Sequence, residues 1–205
     1  PPQFPPLGER WAVVQNGVGV KKFPCCYFTH AAAEAAATLA DDHGIDPAAV
    51  DRVVVWASQA AVDTVPYDRP TSGLEAKFST PYVVASAVAR DRVGPAAFAD
   101  DALGHAPTER VRARVAFEAD PSLAYGSHAS TVRITLVDGS SHERHEPAPP
   151  GTPETPLSEG EVREKFDACV APALSDEAAA TLYRRLDSLR GGAVGDLLAP
   201  VRAGT

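Results

Sequence analysis

The sequence predicts an α+β fold: an antiparallel sheet of about four strands covered by helices on one face, followed by C-terminal helices that belong to a helical body. Three observations carry this expectation. An alanine-rich run from Thr29 to His43 has helical composition and stops at Gly44. Several stretches are rich in β-branched residues or alternate with period two, the clearest being "STVRITLVDGSSHERHE". The proline-rich "EPAPPGTPETP" then separates these from purely helical periodicity.

Residues 1–20 are punctuated by proline and glycine and read as a connecting arm, with "RWAVVQNGVGV" holding at most a short strand. Thr29 or His30 opens a helix that continues to about His43, with Gly44 as its C-terminal cap. After "GIDP", a strand is expected from about Arg52 to Gln59. A second helical region runs from about Leu74 to Arg90. Pro81 interrupts it, and Thr80 as N-cap with Pro81 at the first helical position would restart it. Residues 95–110 read as short helical pieces.

"RVRARVAFEAD" places Val111, Ala113, Val115 and Phe117 on one face and is expected to be a half-buried strand. In the hairpin, Val132, Ile134 and Leu136 alternate and Asp138-Gly139 supplies the turn. Ser158 and Glu161 form a capping box, with Leu157 and Val162 placed as its hydrophobic staple. Two helices follow at about 158–171 and 176–190, the second with Leu182, Leu186 and Leu189 on one face. The expected division is therefore 1–150 for the α+β domain, 151–157 for the linker and 158–205 for the last helices, whose apolar stripes find little in this chain to cover them.

Composition excludes several functions. With 27 acids against 19 lysines and arginines the chain carries a net charge of −8, which argues against a nucleic-acid surface and makes any anion site local. No apolar run approaches the roughly 18 residues of a membrane span. The start "PPQFPPLGERW" lacks the basic and apolar regions of a signal peptide, so a soluble, cytoplasmic chain is expected. Three cysteines cannot all pair internally, and reduced thiols are the simpler reading. The chain opens on proline and has no methionine, which fits a fragment of a longer protein or methionines in a modified form that the sequence does not spell out.

The chemistry-bearing stretch is "KKFPCCYFTHAAAEAA". A helix N-terminus presents unpaired N–H groups and a partial positive charge, so it attracts carboxylates. Lys21 or Lys22 and His30 beside it would make the end anion-selective, and the helix end disfavours a cationic imidazole. The plainer alternative is a histidine that caps or packs and lysines that are solvated. "GLEAKFSTPY" repeats the arrangement, with Lys77 ahead of a helix start and Ser79, Thr80 and Tyr82 close by; here the alternative is an exposed lysine with Phe78 and Tyr82 in the core. Two such ends facing one cleft would hold a compound with several carboxylates.

Other candidates are poorer. Cys25, Cys26 and His30 match no structural zinc spacing, so no metal site is expected. His142 and His145 read as exposed strand residues. A Cys26–His30 nucleophilic pair lacks an orienting group, and "NGVGVKK" is not a phosphate loop.

At these residues the sequence resembles the MmgE/PrpD family, which includes 2-methylcitrate dehydratase, cis-aconitate decarboxylase and iminodisuccinate epimerase. The matching pieces are "KKFPCCYFTHAAAEAA", "GLEAKFSTPYVVASAV", "VDGS" and "GTPETPLSEGEVREKF", in the family's order and across nearly the whole chain. The pattern departs at Ala33-Glu34, where the family often has Ile-Asp. The resemblance implies the C-terminal part of such an enzyme: an α+β lid plus a return to a helical body whose N-terminal half lies elsewhere, in a homodimer. It implies chemistry without a cofactor on small di- or tricarboxylates, in particular a hydro-lyase similar to 2-methylcitrate dehydratase. His30 would then be an acid/base or substrate-orienting histidine, Lys22 and Lys77 would bind carboxylates, and Tyr82 would line the cleft. A non-catalytic carboxylate-binding or subunit-interaction module on the same fold is the competing expectation, and a thiol enzyme using Cys26 a third.

Overall fold

The computed structural model describes Gly8 and residues 11–90 and 93–188. The chain divides into two compact units between Leu157 and Ser158.

In the first unit a single helical turn, α1 (Ala12–Gln15), occupies the arm where at most a short strand was expected, and all its residues are exposed. Residues 1–7 of that arm lie outside the described residues. The main helices are α2 (His30–His43) and α5 (Thr80–Ala89). The short helices α3 (Gln59–Thr64), α4 (Gly73–Ala76) and α6 (Ala106–Arg112) complete the helical layer.

The sheet contains β1 (Val50–Ala57), β2 (Val115–Ala119), β3 (Ser130–Leu136) and β4 (Ser141–Glu146), in the order β2-β1-β3-β4. The fold class is α+β, but the sheet is mixed. β1 pairs antiparallel with β3 and parallel with β2, with Val53 opposite Val115 and Val55 opposite Phe117. The long excursion through α3 to α6 returns the chain along β1 in the same direction, as a parallel neighbour requires.

Helices α2 and α5 pack together on the sheet. Val53, Val55, Val132 and Ile134 share the core with Ala32, Ala36, Val84 and Tyr82, all essentially without solvent exposure. Alanines let α2 lie close to its neighbours. Its C-terminus closes at Gly44, which adopts φ 58°, while Ile45 N–H reaches back to the Ala40 carbonyl at 3.0 Å.

Local capping shifts two expected boundaries. Val111 was expected in a strand, but it lies buried in α6, where His105 Nδ1 accepts from Thr108 N–H and Arg112 grips Glu109 at 2.8 Å. These helix contacts override the period-two pattern until Val115. At α5 the N-cap is Ser79, whose hydroxyl accepts from Tyr82 N–H at 3.2 Å; Thr80 and Pro81 are already helical.

The arm and the linker run side by side. Val20 N–H donates to the Gly151 carbonyl at 2.7 Å, and Gly151, at φ 88°, is so close that a Cβ there would sit 1.9 Å from the Val20 oxygen.

The second unit holds α7 (Glu159–Val170) and α8 (Asp176–Asp187). The capping box of Ser158 and Glu161 is formed as expected. Phe166 meets Tyr183 edge-on at 5.1 Å, and Arg163 lies 4.3 Å from the Tyr183 ring. α7 buries no residue and α8 buries only Ala179 and Leu182, so much of their apolar surface stays uncovered within the described residues. Leu189 lies outside the described residues.

Candidate functional site

The starts of α2 and α5 are joined. Cys26 N–H donates to the Lys77 carbonyl at 2.8 Å, which brings the segment before α2 against the segment before α5. A 3-10 turn, Tyr27–Thr29, leads into α2, and Thr29 turns its hydroxyl back to the Cys26 carbonyl at 2.8 Å.

Between the two segments lies an open cleft of about 500 Å³ whose lining includes Lys21, Cys26, Tyr27, Phe28, Lys77 and Phe78. Among the described residues no acidic side chain lines it. Lys21 is anchored by donating from Nζ to the Cys25 carbonyl at 3.1 Å. Two ammonium groups against an aromatic and apolar wall suit a small anion that carries some hydrocarbon.

Of the four residues singled out from the sequence, Lys77 lines this cleft. Lys22 instead holds Glu34 of α2, its Nζ 2.8 Å from each carboxylate oxygen, and lies 5.6 Å from the Phe23 ring. Its neighbour Lys21 takes the cleft position. His30 is fully buried at the first residue of α2. Its Nε2 is 3.4 Å from the Cys25 carbonyl, and its ring packs against Phe23 at 5.3 Å and Tyr27 at 5.2 Å. Tyr82 belongs to the core and not to the cleft lining: fully buried, it donates from its hydroxyl to the Ala97 carbonyl at 2.6 Å. A tyrosine whose hydroxyl finds a carbonyl inside the core is satisfied without solvent or ligand.

His128 carries no signal in the sequence, yet the fold puts it behind this wall. Its ring stacks on Phe28 at 4.6 Å and 15°, and meets Tyr27 at 5.0 Å. Burial lowers its pKa from the usual histidine value. Tyr27, between the two imidazoles, is pushed up by burial and by the Glu154 carboxylate. The loop "YGSHAS" has no periodicity to mark His128, because its neighbours come from the register of β3 on β1.

The remaining candidates sit apart. His142 stacks on His43 at 3.8 Å, and His145 Nδ1 lies 2.9 Å from Thr131 Oγ1. Among the described residues no three histidine, cysteine or acidic side chains converge as a metal site. Among the same residues no helix is long and apolar enough to cross a membrane.

A family model, the MmgE/PrpD C-terminal domain, matches residues 23–188. No curated protein matches the chain.

Proposed function

The chain belongs to the MmgE/PrpD family as its C-terminal domain, and on that premise we propose that it is the lid portion of a cofactor-free lyase or isomerase acting on small di- or tricarboxylates, specifically a hydro-lyase of the 2-methylcitrate dehydratase kind. The observation that carries this reading is the placement of Lys21 and Lys77 in one cleft at the joined starts of two helices. In a chain of net charge −8, a cleft lined by two lysines and, among the described residues, by no acid supports reading it as a local anion site.

Removing a proton beside a carboxylate builds negative charge on the substrate. Fixed ammonium groups stabilise that charge more than they stabilise the ground state. Lys77 and Lys21 supply it in this reading, and Lys22 contributes by setting Glu34 and the flank of α2. His30, behind Tyr27, acts by orienting the wall of the cleft. The remaining acid/base groups come from an N-terminal helical half, and the working assembly is a cytoplasmic homodimer.

The test is turnover by this chain alone and joined to a helical half, followed by the ultraviolet absorbance of the double bond formed on dehydration. Activity only in the joined protein is expected, with Lys77→Gln raising KM by about tenfold. Full turnover by the isolated chain would sink the split-site picture, as would unchanged kinetics when both Lys21 and Lys77 are replaced.

A second reading, a non-catalytic carboxylate-binding module, is favoured by one observation: His30 is buried and is not among the residues of the cleft. His30→Ala separates the two, since a binder loses affinity alone and an enzyme loses kcat.

A further inference from the structure

We propose that Cys26 is a site of covalent capture for small anionic electrophiles, α,β-unsaturated carboxylates above all, drawn into the cleft between Lys21 and Lys77. The proposal goes beyond lyase chemistry and rests on the cleft, not on turnover.

The three thiols of this chain differ in environment. Cys25 is 4% exposed, with Sγ 3.1 Å from Thr29 Oγ1. Burial pushes its pKa up to about 12, although Lys21 and Lys77 both pull it down. At neutral pH it is a neutral, enclosed thiol and a poor nucleophile. Cys169 is exposed on α7, a helix that carries Glu159, Glu161, Glu164 and Asp167. Cys25 and Cys26 both belong to the lining of the cleft that Lys21 and Lys77 also line, but of the two only Cys26 is half-buried and open to a reagent there, and Cys169 lies outside that lining. Among the described residues no hydrogen bond engages its sulfur. The effect of both lysines on the adjacent Cys25 thiol places their charges within electrostatic reach of this segment. A cleft of one charge sign concentrates reagents of the other sign, so anionic electrophiles gain local concentration at this thiol.

The step balances without a co-reactant. The thiol proton leaves to water and the sulfur lone pair bonds the β-carbon. The double-bond pair moves to the α-carbon, which takes a proton from water. The result is addition of S–H across C=C. With iodoacetate as probe, the S–C bond forms as the C–I bond breaks and iodide leaves.

The experiment alkylates the chain with limiting iodoacetate or its neutral counterpart iodoacetamide and assigns each labelled cysteine by fragment-ion mass spectrometry. The acetate-to-amide ratio at Cys26 should exceed that at Cys169 by about tenfold at low salt and fall toward it as salt rises. Lys21→Gln with Lys77→Gln should abolish the difference, and Lys21→Arg with Lys77→Arg should keep it. Equal ratios at Cys26 and Cys169, a ratio indifferent to the glutamine substitutions, or labelling of Cys25 in place of Cys26 would overturn the proposal. Because no turnover is measured, the outcome is independent of whether the chain supports a lyase.

Discussion

The backbone N–H of Cys26 donates to the carbonyl of Lys77 across a distance of 2.8 Å. This one bond ties the approach to α2 to the approach to α5, and it sets two lysine-bearing segments on one cleft. Residues far apart in sequence therefore act as a single surface.

The Lys22–Glu34 ion pair is structural by geometry, with side chains 26% and 22% exposed. Either Lys22→Gln or Glu34→Gln should destabilise the chain by about 1 kcal/mol, between the values for exposed and buried pairs. The double variant should lose less than the sum, which a double-mutant cycle by urea denaturation measures. Tricarboxylate affinity should fall less in Lys22→Gln than in Lys77→Gln.

Tyr82→Phe removes a hydroxyl whose partner, the Ala97 carbonyl, is left behind in the core. A cost of about 1–2 kcal/mol follows. Ligand affinity measured by calorimetry should be unchanged, and an affinity loss at full stability would return Tyr82 to the cleft.

Gly151 and Gly44 both have positive φ, but only Gly151 lies against backbone. Gly44→Ala, in open space, should cost ~1 kcal/mol from left-handed strain. Gly151→Ala adds a clash with the Val20 carbonyl and should cost about 3 kcal/mol or more. Amide exchange should show Val20 N–H losing protection in Gly151→Ala and keeping it in Gly44→Ala.

Cys25 makes stability depend on pH at the alkaline end. The unfolded thiol ionises near its ordinary value of 9.0, whereas the folded one holds its proton to about 12. Ionisation thus favours the unfolded chain across that window. The contribution is complete below pH 9.0 and is lost as pH rises toward about 12, with a slope of up to about 1.4 kcal/mol per pH unit. Cys25→Ala lacks the group, so the stability gap between it and the natural chain should narrow over this range in denaturation at stepped pH.

Local signals were legible where short-range chemistry decides the structure. The Gly44 cap, the Asp138-Gly139 turn and the Ser158–Glu161 box are all present in the structure. The expectation failed at Val111 to Ala113, where capping by His105 and the Arg112–Glu109 pair outweighed alternation. It also failed in the pairing of β2, because strand direction depends on how the intervening chain returns.

The candidate site divides in the same way. The sequence by itself determined that basic residues precede two helices and that any anion site in so acidic a chain is local, since both follow from residue identity and spacing. Only the tertiary structure decided that Lys21 and Lys77 share the cleft while Lys22 turns to Glu34, Tyr82 enters the core, and His128 backs Phe28. The direction of a side chain is set by what packs against it, and those neighbours come from strand register and helix contacts that no short stretch encodes.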